Sequence, residues 1–194
     1  MILMNSFLLR IIPTGLLCFL SFGHSSAAPI DLSNGTAAQS STLSNFVASN
    51  ALDGVENFTH TVSTDNDPTW QVLLPASKTF QQITLHNRGG TGSWLSRFRD
   101  ITVQIIDFNG NVNSDFNGGT VIYTSPLLNP NNILGSPETI SVDVGGVTGN
   151  MIRVTRTQGP STGDDRVLSL DEVVAEGPDT ITCLLYTSPS PRDA

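Results

Sequence analysis

In 194 residues the chain carries 17 acidic side chains against 9 basic ones, a net charge of -8. Its lone lysine is Lys78, and no Lys/Arg-rich stripe is present to neutralise phosphates, which argues against nucleic acid or an anionic membrane as partner. Both cysteines, Cys18 and Cys183, lie towards the ends, so the domain between them is built without a disulfide.

Taken in chain order, residues 1–27 read as a signal peptide. Arg10 precedes an apolar run from Leu16 to Phe22, and small residues at Ser25 and Ala27 suit cleavage after Ala27. The run is broken by Pro13, Gly15 and Gly23 and falls short of the roughly 20 residues of a membrane span, so the mature domain is expected to be secreted, periplasmic or displayed at the cell surface without inserting in a membrane. Residues 28–178 then form one domain of roughly 150 residues, long enough for its own core. Apolar and polar residues alternate in Ile101–Ile105, Ile140–Val144 and Ile152–Thr155, the period of half-buried strands. Trp70–Leu74, Phe80–Leu85, Thr120–Tyr123 and Val167–Ala175 extend the set towards about eight short strands. Asp67-Pro68, Gly89-Gly90, Asn109-Gly110, Asn117-Gly118-Gly119, Asn129-Pro130-Asn131-Asn132 and Gly145-Gly146 predict reversals between them. No stretch has helical periodicity, and the pattern predicts an all-β fold, an antiparallel β-sandwich or jelly roll. The last segment, 179–194, lacks periodicity and reads as translated sequencing-adapter read-through or as a disordered Ser/Pro tail; on either reading it is expected to lie outside the domain, and on the first the natural protein would continue past about Thr182.

Signatures of common enzymes are missing: there is no Gly-x-Ser-x-Gly, His-Glu-x-x-His, Cys-x-x-Cys or phosphate-cradling glycine loop. His60 and His86 are the histidines left as candidate bases, and neither has a partner nucleophile in sequence. A pair of carboxylates working as a glycosidase is a matter of spatial pairing and stays open at this level. More pointed is Asn50-Ala-Leu-Asp53-Gly54-Val55-Glu56-Asn57, which offers carboxylate, amide and carbonyl oxygens in one bend, with Asp171-Glu172 available as a second contributor. Hard oxygens in a flexible loop suit calcium, and an Asx-stabilised turn with solvated acids explains the same residues equally well. Arg88, Arg97 and Arg99 form the other notable group in so acidic a chain.

The order Ala48-Ser49-Asn50-Ala51-Leu52-Asp53-Gly54, Phe58-Thr59-His60-Thr61, Pro68-Thr69-Trp70, His86-Asn87-Arg88, Arg97-Phe98-Arg99-Asp100 and Leu168-Ser169-Leu170-Asp171-Glu172-Val173 resembles the F-type lectin (fucolectin) family, a branch of the discoidin or coagulation-factor C-type superfamily. The resemblance runs from about Thr36 to Gly177. It implies an eight-stranded antiparallel jelly roll of the galactose-binding-domain type, a structural calcium ion and no catalysis. It places the calcium ligands on Asn50 (carbonyl), Asp53, Val55 (carbonyl), Asn57, Asp171 (carbonyl) and Glu172, and the glycan contacts on His60, Arg88 and Arg97. The chain departs from the family between the two arginines. There, fucose-binding members carry Gly-Asp and a vicinal cysteine pair, and this chain reads Gly89-Gly-Thr-Gly-Ser-Trp-Leu-Ser96. Calcium therefore carries over better than fucose. Trp94 is either a replacement platform for a sugar face, in which case at least half of it is expected to be exposed, or a side chain packed against the sandwich edge. The resulting expectation is a calcium-dependent carbohydrate-binding module; a discoidin-like adhesion or protein-interaction module, or the accessory domain of a larger secreted enzyme, is the alternative.

Overall fold

The structure, a computed structural model, describes residues 27–157 and 166–178. The expected signal peptide, except Ala27, and the tail 179–194 lie outside the described residues. The strands are β1 (Ala27–Ile30), β2 (Thr36–Gln39), β3 (Thr69–Asn87), β4 (Ile101–Asp107), β5 (Thr120–Thr124), β6 (Thr139–Arg156) and β7 (Leu170–Pro178), and every pairing is antiparallel. Among the described residues the helical elements are three single 3-10 turns, Ala48–Leu52, Ser93–Arg97 and Pro130–Asn132.

Two long strands generate both layers of the sandwich. The first half of β3, Thr69–Leu73, pairs with Met151–Thr155 of β6 and with β2, and β4 and β5 continue that layer. The second half of β3 pairs with the first half of β6 and with β7, and β1 completes this layer at its edge. One core cluster draws Trp70, Val72, Val103 and Val154 from the first layer and Leu85, Val142, Val173 and Ala175 from the second, so the layers pack face to face.

The expected all-β antiparallel architecture is present, divided differently: the segments 70–74 and 80–85 belong to one strand, as do 140–144 and 152–155. Bulges explain the merging. Between the pairs Leu73↔Met151 and Lys78↔Gly149, β3 carries extra residues at Leu74-Pro75-Ala76-Ser77; between Phe80↔Val147 and Gln82↔Asp143 the excess lies on β6, at Gly145-Gly146. Those glycines take φ of +70° and +78°. Gly145-Gly146 was expected to reverse the chain, and it instead bends a strand that keeps its partner, which is how a strand passes from one layer to the other. β4 shows the expected alternation, with Ile101, Val103 and Ile105 buried and Thr102 and Gln104 half-buried.

The outer face of the first layer is covered as well. Ile106, Phe108, Val112 and Met151 form a second small cluster with Ala38. Buried Arg153 clamps the covering loop, donating from Nε to Gln71 Oε1 (2.9 Å) and from Nη2 to the carbonyls of Phe116 and Gly118 (2.9 Å each).

Candidate functional site

The expected ligand-binding residues converge on a cleft of about 460 Å³ at the loop end, lined by Phe46, Phe58, His60, Arg88, Trp94 and Arg97 together with Leu43, Val62, Ser63 and Val167. Its central segment is Thr59-His60-Thr61, held like a short strand against 168–170. Thr59 N–H donates to the Leu170 carbonyl (2.8 Å) and Thr61 N–H to that of Leu168 (3.1 Å). The same two threonines accept from the other strand, Leu168 N–H reaching Thr61 Oγ1 (2.9 Å) and Leu170 N–H reaching Thr59 Oγ1 (3.1 Å). With both threonine side chains turned to that ladder, alternation sends Phe58 and His60 to the other face, the face of the cleft. His60 is buried, and its Nδ1 lies 2.5 Å from the Thr61 carbonyl oxygen. A carbonyl only accepts, so Nδ1 carries the proton in this contact.

Phe46 and Phe58 stack at 4.5 Å with an interplanar angle of 13°, and both tilt towards His60 at 6.1 and 6.3 Å. Arg88 sits with Cζ 4.0 Å over the Phe58 ring. Its Nε is buried without a hydrogen-bond partner among the described residues. Burial, and then the charge of Arg97, lower its proton affinity from the ordinary arginine value. The loop that follows is pinned by Asn87 at the end of β3, whose Nδ2 donates to the carbonyls of Leu95 (3.0 Å) and Pro137 (3.1 Å).

Within that loop Trp94 and Arg97 stand three residues apart in a 3-10 turn, the spacing at which side chains eclipse, and Arg97 Cζ lies 5.1 Å from the indole centre. Gly92 makes room for the indole: with φ of +113°, a Cβ there would stand 3.2 Å from Trp94 Nε1. Trp94 is 45% exposed, a little under the expected half, and its side chain lines the cleft.

The second predicted set lies beside this cleft. Trp70, fully buried, donates from Nε1 to the Ala48 carbonyl (2.8 Å), anchoring the 3-10 turn that leads into Asp53-Gly54. Gly54, at φ +67°, turns the chain so that its N–H donates to Glu172 Oε2 (3.1 Å), which joins the loop to the start of β7. Asp53 Oδ1 accepts from Val55 N–H (3.1 Å), Asn57 Oδ1 from Phe58 N–H (3.0 Å), and Asn50 Nδ2 donates to the Phe58 carbonyl (3.0 Å). Burial raises the Glu172 carboxyl above the usual range; the Gly54 N–H works against this, and Asp53 and Asp171 add to it. Burial likewise raises Asp171, opposed by His86 and reinforced by Glu56 and Asp53. Among the described residues no three His, Cys, Asp or Glu side chains stand close enough to share one ion. A shell here would need the carbonyls of Asn50, Val55 and Asp171 beside Asp53, Asn57 and Glu172. That set is all hard oxygen and rich in mutually repelling acids, which fits calcium.

Sequence reasoning missed Phe46 as a wall of the cleft, and it quoted Phe58 without a role. The period-2 spacing of Phe58 and His60 was a usable signal; nothing local marks Phe46.

No family model and no curated protein matches the chain. Solved structures do. A fucose-binding module of Streptococcus pneumoniae superposes with a TM-score of 0.58 at 21% identity, over 76% of this chain and 96% of that one. The lectin domain of lectinolysin, complexed with Lewis B antigen, gives 0.60 at 19% identity over 75% and 95%. The serum fucolectin of Morone saxatilis gives 0.54 at 23% identity over 80% and 50%. The chain has the fold of the F-type lectins and related galactose-binding-like modules. That likeness is one of architecture, and the cleft carries the argument about ligands.

Proposed function

We propose that this domain is an exported, non-catalytic glycan-binding module whose sugar sits in the cleft between Phe58, His60, Arg88, Trp94 and Arg97. The observation that supports this most is the convergence of in-plane donors with aromatic faces in one open cleft. Guanidinium forks and an imidazole read adjacent hydroxyl oxygens, while an aromatic face covers the apolar face of a ring. The structural neighbours named above include modules described as binding fucose or a Lewis antigen, which supports the same ligand class. In this reading a calcium ion held by Asn50, Asp53, Val55, Asn57, Asp171 and Glu172 stiffens the loop that leads into Phe58 and His60; it supplies charge balance and structure, and no chemistry. A glycan array with the purified domain, with and without calcium, tests this. Binding is expected, with loss in Arg88→Lys at unchanged melting temperature, because the ammonium keeps the charge and loses the fork. An array blank under both conditions overturns the reading.

One observation favours a second reading, docking on a protein or lipid surface. Ile133 and Leu134 are 72% and 60% exposed on the loop tied to the cleft by Asn129, which donates from Nδ2 to the Phe98 carbonyl (2.7 Å). If that reading holds, Ile133→Ser with Leu134→Ser removes binding to cells; if the glycan reading holds, cell binding survives and free sugar competes it away.

A further inference from the structure

The cleft is cationic in a protein that is not. The chain carries -8 overall, yet the described residues lining the cleft include Arg88 and Arg97 and no carboxylate. A low-dielectric concavity lined by one sign of charge focuses its field, so the described lining of this cleft favours an anion. Arg88 carries the point furthest. Its Nε is buried without a hydrogen-bond partner among the described residues, and the group beneath its Cζ is the ring of Phe58. An aromatic face offsets part of the charge and is a weak substitute for an acceptor. A buried donor left without its bond is costly, and a guanidinium in this state is best complemented by an anionic group that presents two oxygens side by side. Arg153 shows the contrast within the same chain: it is more deeply buried, and three oxygens complete its fork.

We infer that the glycan is acidic, carrying a carboxylate or sulfate group that seats against Arg88 while Trp94 holds the ring. This rests on the reading of the cleft as a sugar site, and the neutral hydroxyls of the same sugar remain for His60 and Arg97.

The test uses matched pairs of oligosaccharides on one array: uronate-containing chains against their carboxyl-reduced forms, sialylated chains against desialylated ones, and sulfated chains against desulfated ones. At least one acidic member is expected to bind about tenfold tighter than its neutral partner, the difference between a charge-assisted and an ordinary hydrogen bond, about 1.4 kcal/mol. The preference should shrink at high salt, where exposed charges are screened, and should fall towards unity in Arg88→Gln. The three arms show which anionic group is read. Equal binding of acidic and neutral partners, or an acidic preference that survives intact in Arg88→Gln, overturns the inference and leaves the glycan reading standing. Absence of binding to every member of every pair overturns both.

Discussion

Arg153 and Arg88 are the same side chain placed in two regions with opposite results. At Arg153 the outer face of the first layer is roofed by the 108–118 loop, and the guanidinium donates to Gln71, Phe116 and Gly118; it holds structure together. At Arg88, in the loop-end cleft, the Nε is buried without a hydrogen-bond partner among the described residues and a second cation stands nearby. The acids beside the cleft also carry a cost: burial, and then the neighbouring carboxylates, raise Asp171 and Glu172, although Gly54 N–H partly offsets this at Glu172. Arg153 is tied into the fold, while Arg88 and the neighbouring acids carry charge at the loop end with less compensation among the described residues. Evolution tolerates such cost where a ligand or ion removes it.

The largest expected effect tests the acids. If calcium is what relieves them, saturating ion should stabilise the domain by about 4 kcal/mol at a thousandfold excess over its dissociation constant, read as a rise in melting temperature. Asp53→Ala and Glu172→Ala should each abolish the rise. A melting curve indifferent to both calcium and chelator removes the metal from the comparison.

Next in size is the direct contrast between the arginines. Arg153→Met leaves the buried Gln71 Oε1 and two half-buried carbonyls unpaired and should cost about 2–3 kcal/mol in denaturant unfolding. Arg88→Met loses its stacking on Phe58 but no hydrogen bond among the described residues, so the change should stay within about 1 kcal/mol, with glycan binding lost. Comparable destabilisation by the two substitutions would mean that Arg88 is structural too, and the distinction between the regions would fail.

Much of this was legible in the sequence, and what was not has physical causes. β4 reads directly because one of its faces is buried and the other less so. Gly145-Gly146 announces positive φ, which serves a reversal or a bulge alike; only the pairing with β3 decides between them. β1 and β2 are four residues each, rich in alanine, and carry too little pattern to find. Arg153 occupies the outward position of an alternating strand and reads as solvated, because nothing local tells that a loop thirty or more residues earlier covers that face. In the site, His60, Arg88 and Arg97 were readable through the family resemblance. The pairing of Trp94 with Arg97 depends on a single 3-10 turn that has no periodic signature.

The smallest expected effect separates the parts of the cleft from one another. Trp94 is 45% exposed, so the fold buries little more than half of it, and Arg97 on its own loop stacks against it. Trp94→Ala should therefore change the unfolding free energy by no more than an ordinary surface substitution, within about 0.5 kcal/mol. Calcium-linked stabilisation should persist, since no metal ligand is touched. Glycan binding should weaken by about 0.5–1.5 kcal/mol, the scale of aromatic pairing transferred to a sugar face. Arg97 loses its aromatic backing in the same variant and becomes freer to move, so the loss should fall on dissociation more than on association. Isothermal titration with the best array ligand, beside thermal melts with and without calcium, reads all of these at once. A Trp94→Ala protein that binds normally and melts much earlier would place the indole in the core, and the cleft would then discriminate through His60 and the arginines alone.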